Sequence, residues 1–346
     1  MSISQEQEFF IQWHLTERCN LRCSHCYQAG GRSDELGFSE VEDVIKEVSV
    51  MLRAWTGEYG ISFSPGFNIT GGEPLLRKDL FAVLDSVGSS GFDAFLLTNG
   101  TLVTSEKAKQ LAALAVKGVQ VSIEGPEAIH DSIRGKGSFS AAIKGIRHLL
   151  DAGLPVTMNA TLSGINAAHF IDMVGLAVSL GVQRLGFSRL VPSGRGRGLI
   201  DRMMPADRVA EVYREIFSFS GDGLDIVTGD PIASQMSVAD DGDSGPVARS
   251  GCAAAISGLT FLPDGAIVPC RRLFIPIGNV RTDSIREVWA SSPVLDALRD
   301  RSGYKGKCGS CGRWADCRGC RAIAYAYSCS KGKDDFLAED PQCFIG

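Results

Sequence analysis

The sequence lacks the features that would place the protein in a membrane or on nucleic acid. No apolar run reaches the ~18 residues that a membrane span needs, and the N-terminal Met1–Glu8 segment has no apolar signal-peptide core. Lysine and arginine total 35 against 40 acidic residues, a net charge of −5, so no basic excess favours nucleic acid or anionic lipid. We therefore expect a cytoplasmic protein with neither a nucleic-acid nor a membrane partner.

Histidine is scarce, and cysteine is absent from the middle of the chain. The five histidines have no spacing partners, which argues against a histidine-based metal site. No cysteine occurs from Tyr27 to Gly251, although the chain has 11 cysteines, three before this stretch and eight after it. An odd count without a secretion signal argues against a disulfide framework. In a reducing compartment, such clusters more often bind metal.

The 346 residues, 44% apolar and 22% charged, suffice for two globular units or for one barrel with an appendage. Six short β-rich runs alternate with amphipathic helical stretches, which predicts a parallel sheet, either doubly wound or curved into a partial barrel. The predicted strands are Phe9–Leu15, Gly66–Thr70, Asp93–Thr98, Val119–Ile123, Val156–Thr161 and Arg184–Leu190. Ligands are expected at the carboxyl ends of these strands. Left-handed glycines are expected to end four of the helices, namely Gly91, Gly118, Gly153 and Gly181.

The repeat weakens after the sixth strand. One more helix is predicted at Met204–Phe219, and Ser237–Gly251 is rich in Asp, Gly and Ser, as exposed linkers are. The remainder is rich in cysteine and glycine and poor in apolar periodicity. A segment with so small a core needs additional cross-links, which metal bound by its cysteines can supply. The sequence therefore predicts domains at 1–235 and 252–346, joined by a linker at 236–251.

The first cysteine group, Cys19, Cys23 and Cys26, has the spacing C-x3-C-x2-C and directly follows the first predicted strand. Two C-x2-C pairs would suit zinc. Three thiolates can instead hold an iron–sulfur cluster that leaves one iron open to a substrate or cofactor. His25 is an alternative fourth ligand, but we favour an exposed loop histidine, because a ligand between Cys23 and Cys26 would strain the loop.

With Tyr27 after it, this cysteine motif resembles the signature of the radical SAM enzymes. Further motifs at the strand ends resemble those of the same family, and the Val191–Gly194 turn, which contains Pro192, stands where the family packs backbone against adenine. These motifs are Gly71-Gly72-Glu73-Pro74, Thr98-Asn99-Gly100 and Ser122-Ile123-Glu124-Gly125, in which Glu124 replaces the commoner Asp. The resemblance implies an α/β fold, a partial (β/α)6 TIM-like barrel with a small cysteine-rich C-terminal domain.

The resemblance also implies a chemistry. A 4Fe–4S cluster on Cys19, Cys23 and Cys26 would chelate S-adenosylmethionine, and one electron would cleave it to methionine and a 5′-deoxyadenosyl radical that removes hydrogen from a substrate. The implied cofactor-binding residues are Tyr27, Gly71, Gly72, Glu73, Pro74, Asn99, Ser122, Glu124, Arg134, Asn159 and Pro192. In this set, the Gly71–Pro74 motif is expected to hold the amino group of the cofactor, through the Glu73 carboxylate and the glycine-opened backbone. Arg134 can instead brace its loop, and Asn159 can instead pack within the barrel.

The C-terminal cysteines resemble the SPASM extension of radical SAM enzymes, which carries two auxiliary iron–sulfur clusters. Alone, their C-x2-C-x5-C-x2-C run would suit structural zinc, and its last gap is x2 where the family commonly has x3. The resemblance assigns the outer cluster to Cys308, Cys311, Cys317 and Cys343, and the inner cluster to Cys252, Cys270 and Cys320. Cys329 remains as a fourth inner ligand, a free buried thiol, or a thiol that donates a hydrogen atom or proton in catalysis.

The sequence is compatible with more than one class of substrate. We favour maturation of a ribosomally made peptide or protein, by a thioether, a carbon–carbon crosslink or epimerisation, because most SPASM enzymes act in this way. About ten residues precede the first predicted strand and three follow Cys343, so a peptide would need a separate leader-binding protein or direct recognition. An electron donor such as ferredoxin or flavodoxin is also expected.

The alternative is a haem-pathway oxidoreductase or decarboxylase that modifies tetrapyrrole propionates. It is favoured by Cys320–Tyr327 and Leu337–Cys343, which resemble haem-pathway SPASM proteins. A third class, a cluster scaffold without catalysis, is disfavoured because a scaffold has no need for Gly71–Pro74 or Ser122. The residues identify no general base.

Overall fold

A computed structural model describes the chain over residues 6–28, 30, 34–219, 223–236, 248 and 250–345. Seven parallel strands lie side by side in chain order. They are β1 Glu6–His14, β2 Ser62–Thr70, β3 Asp93–Thr98, β4 Gly118–Ser122, β5 Val156–Leu162, β6 Arg184–Arg189 and β7 Asp225–Thr228. The α/β class with a parallel sheet, predicted from the sequence, is confirmed.

Helices connect the strands and pack against the sheet. They are α1 Phe38–Tyr59, α2 Leu80–Ser89, α3 Ser105–Ala113, α4 Glu127–Arg134, α5 Ser138–Asp151, α6 Phe170–Leu180 and α7 Ala206–Ser218. None of the helices within the described ranges is long and apolar enough to cross a membrane.

Alternation along β5 explains how the sheet separates its core from its ligand-binding face. Val156, Met158, Ala160 and Leu162 are buried, whereas the polar residues between them are partly exposed. Because successive side chains of a strand point to opposite faces, the apolar set joins the core and the polar set faces the barrel interior. The register pairs Asn159 of β5 with Ser122 of β4, which places two of the predicted cofactor contacts side by side.

The C-terminal segment extends the same sheet. Its strands are β8 Gly258–Phe261, β9 Ala266–Val268 and β10 Gly278–Asn279, and its helices are α8 Ile285–Ser291, α9 Pro293–Arg299, α10 Gly306–Ser310 and α11 Arg321–Ser330. Strand β8 pairs in parallel with β1, and β9 and β10 follow antiparallel, so the full strand order is β10-β9-β8-β1-β2-β3-β4-β5-β6-β7. The open sheet ends at β7 and β10, as a partial barrel does.

Several details differ from the expectations. Strand β7 and helix α4 were not predicted, because β7 has four residues and none of them is buried, and α4 has eight residues of which only His130 and Ile133 are buried. Gly91, Gly153 and Gly181 take the expected left-handed conformation, with φ of 82°, 77° and 73°. Gly118 instead begins β4, and the left-handed position after α3 is Ala115, with φ of 52°.

The proposed domain boundaries remain predictions. The predicted linker at 236–251 lies mostly outside the described residues, of which only 236, 248, 250 and 251 fall within it.

Candidate active site and cluster-binding sites

A cavity of about 520 Å³ opens at the carboxyl ends of the parallel strands. Cys19, Cys23 and Cys26 all line it. Seven of the predicted cofactor contacts line the same cavity, namely Tyr27, Gly71, Gly72, Asn99, Ser122, Arg134 and Asn159. The parallel sheet brings these residues together because they lie at or after the carboxyl ends of β1 to β4 or, in the case of Asn159, within β5.

The loop that carries the three thiols is held by polar contacts to neighbouring loops. Gly196 N donates to Cys26 O at 2.9 Å, and Arg195 Nε donates to Cys23 O at 3.1 Å. Asn99 Nδ2 lies 4.0 Å from Cys19 Sγ, and Arg134 Nη1 lies 3.7 Å from Cys23 Sγ. Burial raises the pKa of Cys19 and Cys23, so a bound cation is needed to hold them as thiolates. The three thiols thus fit an iron–sulfur cluster with an open side toward the cavity.

The two glycines of the G-G-E-P motif pack directly against the start of this loop. Gly72 N donates to Thr16 O at 2.6 Å, and a Cβ on Gly72 would lie 2.3 Å from Arg18 O. A Cβ on Gly71 would lie 2.5 Å from Thr16 O. Only glycine permits this approach of two backbones. The motif therefore fixes the cysteine loop and leaves its own backbone facing the cavity.

Glu73 does not line the cavity, although we expected its carboxylate, together with the motif's backbone, to hold the cofactor's amino group. Its fully buried carboxylate accepts hydrogen bonds from Thr98 Oγ1 at 2.7 Å, from Asn99 N at 2.8 Å and from Leu75 N at 3.2 Å. Burial raises the pKa of Glu73, against the effect of these donors. In this arrangement the carboxylate braces the ends of β2 and β3, which leaves backbone carbonyls to receive an ammonium group.

Glu124 is likewise turned away from the cavity. Its carboxylate accepts from Arg134 Nε at 2.8 Å and from Thr161 N at 2.8 Å, and it lies 3.4 Å from His25 Nε2. Burial opposes ionisation, but Arg134 and His25 outweigh it and hold the pKa of Glu124 well below its usual range. Glu124 thus orients Arg134, which does line the cavity, and His25 is not the solvent-exposed loop residue that we expected.

The two predicted prolines are also displaced from the cavity. Pro74 is buried at the start of a short 3-10 turn, and Pro192 is buried beside Val191, which lines the cavity in its place. Tyr27, in contrast, lies where the motif predicts. Its hydroxyl is 3.4 Å from His14 Nε2, and burial raises the pKa of Tyr27 to about 12. Burial also lowers the pKa of His14 to about 3, so this pair is neutral.

Sequence reasoning missed the positive charge of the cavity. Seven arginines line it, namely Arg18, Arg22, Arg134, Arg189, Arg195, Arg271 and Arg272, and Glu17 is the one carboxylate among the described lining residues. Arg18 pairs with Glu35, and Arg134 pairs with Glu124. The adjacent arginines after Cys270 were a visible signal, but no motif drew attention to them. The cavity is suited to a ligand with carboxylates.

The inner cysteines line a second cavity, of about 340 Å³. Cys252, Cys270 and Cys320 all contribute to its wall. Burial raises the pKa of Cys320 to about 12, so this thiol needs a bound cation to ionise. Cys320 N donates to Asp340 Oδ2 at 2.8 Å, which fixes the backbone beside the thiol. The three residues fit the predicted inner cluster.

The four outer cysteines line a third cavity, of about 220 Å³: Cys308, Cys311, Cys317 and Cys343. Gln235 Nε2 lies 3.4 Å from Cys343 Sγ and 3.7 Å from Cys317 Sγ, and Arg321 Nη2 lies 3.4 Å from Cys308 Sγ. Hydrogen bonds to sulfur stabilise cluster thiolates. The grouping predicted for the outer cluster is thus also a spatial grouping.

All 11 cysteines are described, and none forms a disulfide. Among the residues with assigned positions, no three His, Cys, Asp or Glu side chains lie close enough to hold a single metal ion. Thiols that bind different irons of one cluster are spaced more widely than the ligands of a lone zinc ion.

Cys329 does not line any of these cavities. It lies in the last turn of α11, whereas Cys320 caps the first turn, and nine residues of helix rise about 13 Å. Its thiol donates to Asp334 Oδ1 at 3.3 Å. Helix α11 therefore separates Cys329 from the inner thiols, and the structure does not bring it to the place of a fourth ligand or of a thiol donor.

The iron content of two variants distinguishes Cys329 from the predicted cluster ligand Cys320. Cys329→Ala is expected to leave about twelve iron atoms per chain, whereas Cys320→Ala is expected to remove about four, because only Cys320 faces a cluster cavity. Anaerobic reconstitution followed by iron and sulfide analysis measures both variants under identical conditions. A loss of about four iron atoms from the Cys329 variant would show instead that Cys329 is a ligand of the inner cluster.

Two protein-family models match this chain. The family model of the Radical SAM superfamily matches residues 13–177, and that of the SPASM iron–sulfur cluster-binding domain matches residues 252–321. An AdoMet-dependent heme synthase of Methanosarcina barkeri is 33% identical over 96% of this chain and 95% of its own length. The mycofactocin maturase MftC of Mycobacterium tuberculosis is 32% identical over 91% of this chain and 78% of its own.

A solved structure shares the fold. Streptococcus suis SuiB bound to precursor peptide SuiA superposes with a TM-score of 0.74 at 16% identity, covering 98% of this chain and 76% of SuiB.

Proposed function

Because this chain belongs to the radical SAM superfamily and carries a SPASM iron–sulfur domain, we propose that it oxidatively decarboxylates propionate side chains of a tetrapyrrole in a haem pathway. The observation that carries this proposal is the arginine-lined cavity beside Cys19, Cys23 and Cys26. A tetrapyrrole with several propionates offers the matching anionic groups. The similarity to an AdoMet-dependent heme synthase over nearly all of both chains supports the same substrate class.

The reaction balances when one hydrogen atom, one electron and carbon dioxide leave each propionate, so that –CH2–CH2–COO⁻ becomes –CH=CH2. A cluster held by Cys19, Cys23 and Cys26, with S-adenosylmethionine bound, would supply the radical chemistry, and a cluster held by Cys252, Cys270 and Cys320 would supply an electron acceptor. The chain's own residues bind and orient. Gly71, Gly72 and Asn99 shape the cofactor side, and the arginines hold the carboxylates. We further propose a ferredoxin or flavodoxin as the donor that starts each cycle, and a cytoplasmic location, since free thiols persist in a reducing compartment.

The proposal is tested by anaerobic turnover of the reconstituted enzyme with iron-coproporphyrin, S-adenosylmethionine and dithionite. We expect each modified propionate to lose carbon dioxide and two hydrogens relative to the free acid, with one 5′-deoxyadenosine formed per loss. Mass spectrometry and chromatography measure the two products. Iron-coproporphyrin tetra-amide, which has no carboxylate to lose, is the matched control. An unchanged porphyrin in the presence of continuing 5′-deoxyadenosine formation would overturn the proposal.

Peptide maturation is the second candidate. It is favoured by the similarity to mycofactocin maturase over most of this chain, and a peptide carboxylate would also match the arginine-lined cavity. It would involve a precursor peptide and a separate leader-binding protein. In the same assay, a mass change in a co-supplied precursor peptide, with the porphyrin unchanged, would select this function.

A further inference from the structure

We propose that Arg271 and Arg272 form a two-guanidinium clamp for a substrate carboxylate, located where the S-adenosylmethionine cavity meets the inner cysteine cavity. This inference rests on the proposed function and names the residues by which that site would recognise its substrate class.

The two arginines occupy the central positions of a tight turn. Strand β9 ends at Val268, and Leu273 N donates to Cys270 O at 2.9 Å, which closes a four-residue turn around Arg271 and Arg272. Cys270 is one of the inner thiols, so the turn is tied to the inner cavity. The sequence thus fixes two adjacent guanidinium groups beside a proposed cluster ligand.

The pair lines two cavities at once. Five residues are shared by the walls of the 520 Å³ cavity and the 340 Å³ cavity, namely Gln120, Asn159, Ser188, Arg271 and Arg272. Within this shared wall the two arginines carry the only formal charges among the described residues. A ligand that extends from the three cofactor thiols toward the inner thiols would pass these guanidinium groups.

Neither arginine has a carboxylate partner within the described ranges. Arg271 makes no hydrogen bond or ion pair there, and Arg272 makes one, from Nη1 to Arg189 O at 3.3 Å. The Nε atom of Arg272 is buried without an acceptor. The nearby Asp230 is already paired with Arg189. This distinguishes the pair from Arg134 and Arg189, which neutralise protein carboxylates.

A buried N–H group without an acceptor costs free energy that a ligand can recover. The planar guanidinium fork matches a carboxylate with two parallel hydrogen bonds, and such charge-assisted bonds are stronger than neutral ones. Two forks on one turn can therefore hold a propionate between the cofactor residues and the inner thiols. The structure supplies the donors, and the substrate supplies the acceptor.

The test measures equilibrium binding to the reconstituted enzyme by titration of the porphyrin absorbance, without turnover. The ligands are iron-coproporphyrin and its tetra-amide, in which neutral carboxamides replace the carboxylates. Arg271→Gln and Arg272→Gln are each expected to weaken binding of the acid about tenfold or more, while binding of the tetra-amide changes less than about twofold. Arg197→Gln is the matched control, because Arg197 is exposed and outside both cavities. It should bind both ligands as the wild type does.

An equal loss of affinity for acid and tetra-amide in the two variants would overturn the clamp, as would unchanged affinity for the acid. Wild-type enzyme that binds the two ligands equally would overturn the proposed function itself, since carboxylate recognition carries it. Arg271→Lys and Arg272→Lys guard against misfolding: with iron content at the wild-type level, they keep the charge but lose the fork, and they should bind the acid with intermediate affinity.

Discussion

Simultaneous replacement of Cys19, Cys23 and Cys26 with alanine is expected to abolish 5′-deoxyadenosine formation while about eight iron atoms per chain remain. The three thiols line the cavity at the strand ends, whereas the seven auxiliary thiols line two other cavities. Each 4Fe–4S cluster contributes four irons, so removal of one set should leave two clusters. The variant loses the only cluster expected to bind S-adenosylmethionine. Anaerobic chromatography and iron analysis of one preparation measure both quantities.

The auxiliary clusters serve as the internal control of this experiment. Cys308→Ala removes an outer thiol and should lower iron by about four atoms while 5′-deoxyadenosine still forms, because the cofactor cavity is intact. Retention of 5′-deoxyadenosine formation in the triple variant would contradict the assignment of the first cysteine group. Loss of nearly all iron would instead show that the three sites do not assemble independently.

Arg189→Met is expected to lower the free energy of unfolding by about 3–5 kcal/mol and to impair retention of the auxiliary clusters. The Arg189 guanidinium is fully buried and donates to Asp230 at 2.6 Å and to Asp340 at 2.8 Å. Methionine has a similar shape but no charge, so two buried carboxylates would lose their counterion. Asp340 also accepts from Cys320 N, so its displacement would disturb an inner thiol. Urea titration and iron analysis measure the two effects.

A surface arginine provides the comparison for this variant. Arg208 pairs with Glu211 on the exposed face of α7, and Arg208→Met should change the urea midpoint little, because exposed ion pairs contribute little to stability. Both variants replace a positively charged arginine with a neutral methionine, so they differ only in whether the arginine is buried or exposed. If Arg189→Met unfolds at the wild-type urea concentration with its full iron content, the ion pairs of Arg189 with Asp230 and Asp340 contribute little to stability or to cluster retention.

Much of the site could be predicted because chain order and sheet order coincide. In a parallel sheet the carboxyl ends of all strands lie at the same edge. Once the strands were found, it followed that Cys26, Gly72, Asn99 and Ser122 lie near one another. The grouping of the outer thiols followed from spacing in the same way. The positions of the motifs along the chain were therefore enough to predict which residues meet at the site.

Side-chain direction and long-range pairing could not be predicted in this way. Glu73 and Glu124 stand in cofactor motifs, yet both carboxylates turn toward protein donors, because burial makes unpaired oxygens costly. Arg189 meets Asp340 across 151 residues of sequence, and no local pattern marks such a contact. Strand β7 has only four residues, none of them buried, and carries too little apolar signal to be distinguished from a loop.

The parallel pairing of β8 with β1 has a consequence for synthesis of the protein. Strand β1 leads directly into the first cysteine loop, but one of its two neighbours, β8, belongs to the last quarter of the chain: Phe10 pairs with Gly258. On a ribosome, the first strand made therefore waits for a partner that emerges much later, and such distant pairing is slow to form. Until then one edge of β1 has no strand beside it. We therefore expect the sheet beside the first cysteine loop to be completed only after the C-terminal segment has been synthesised.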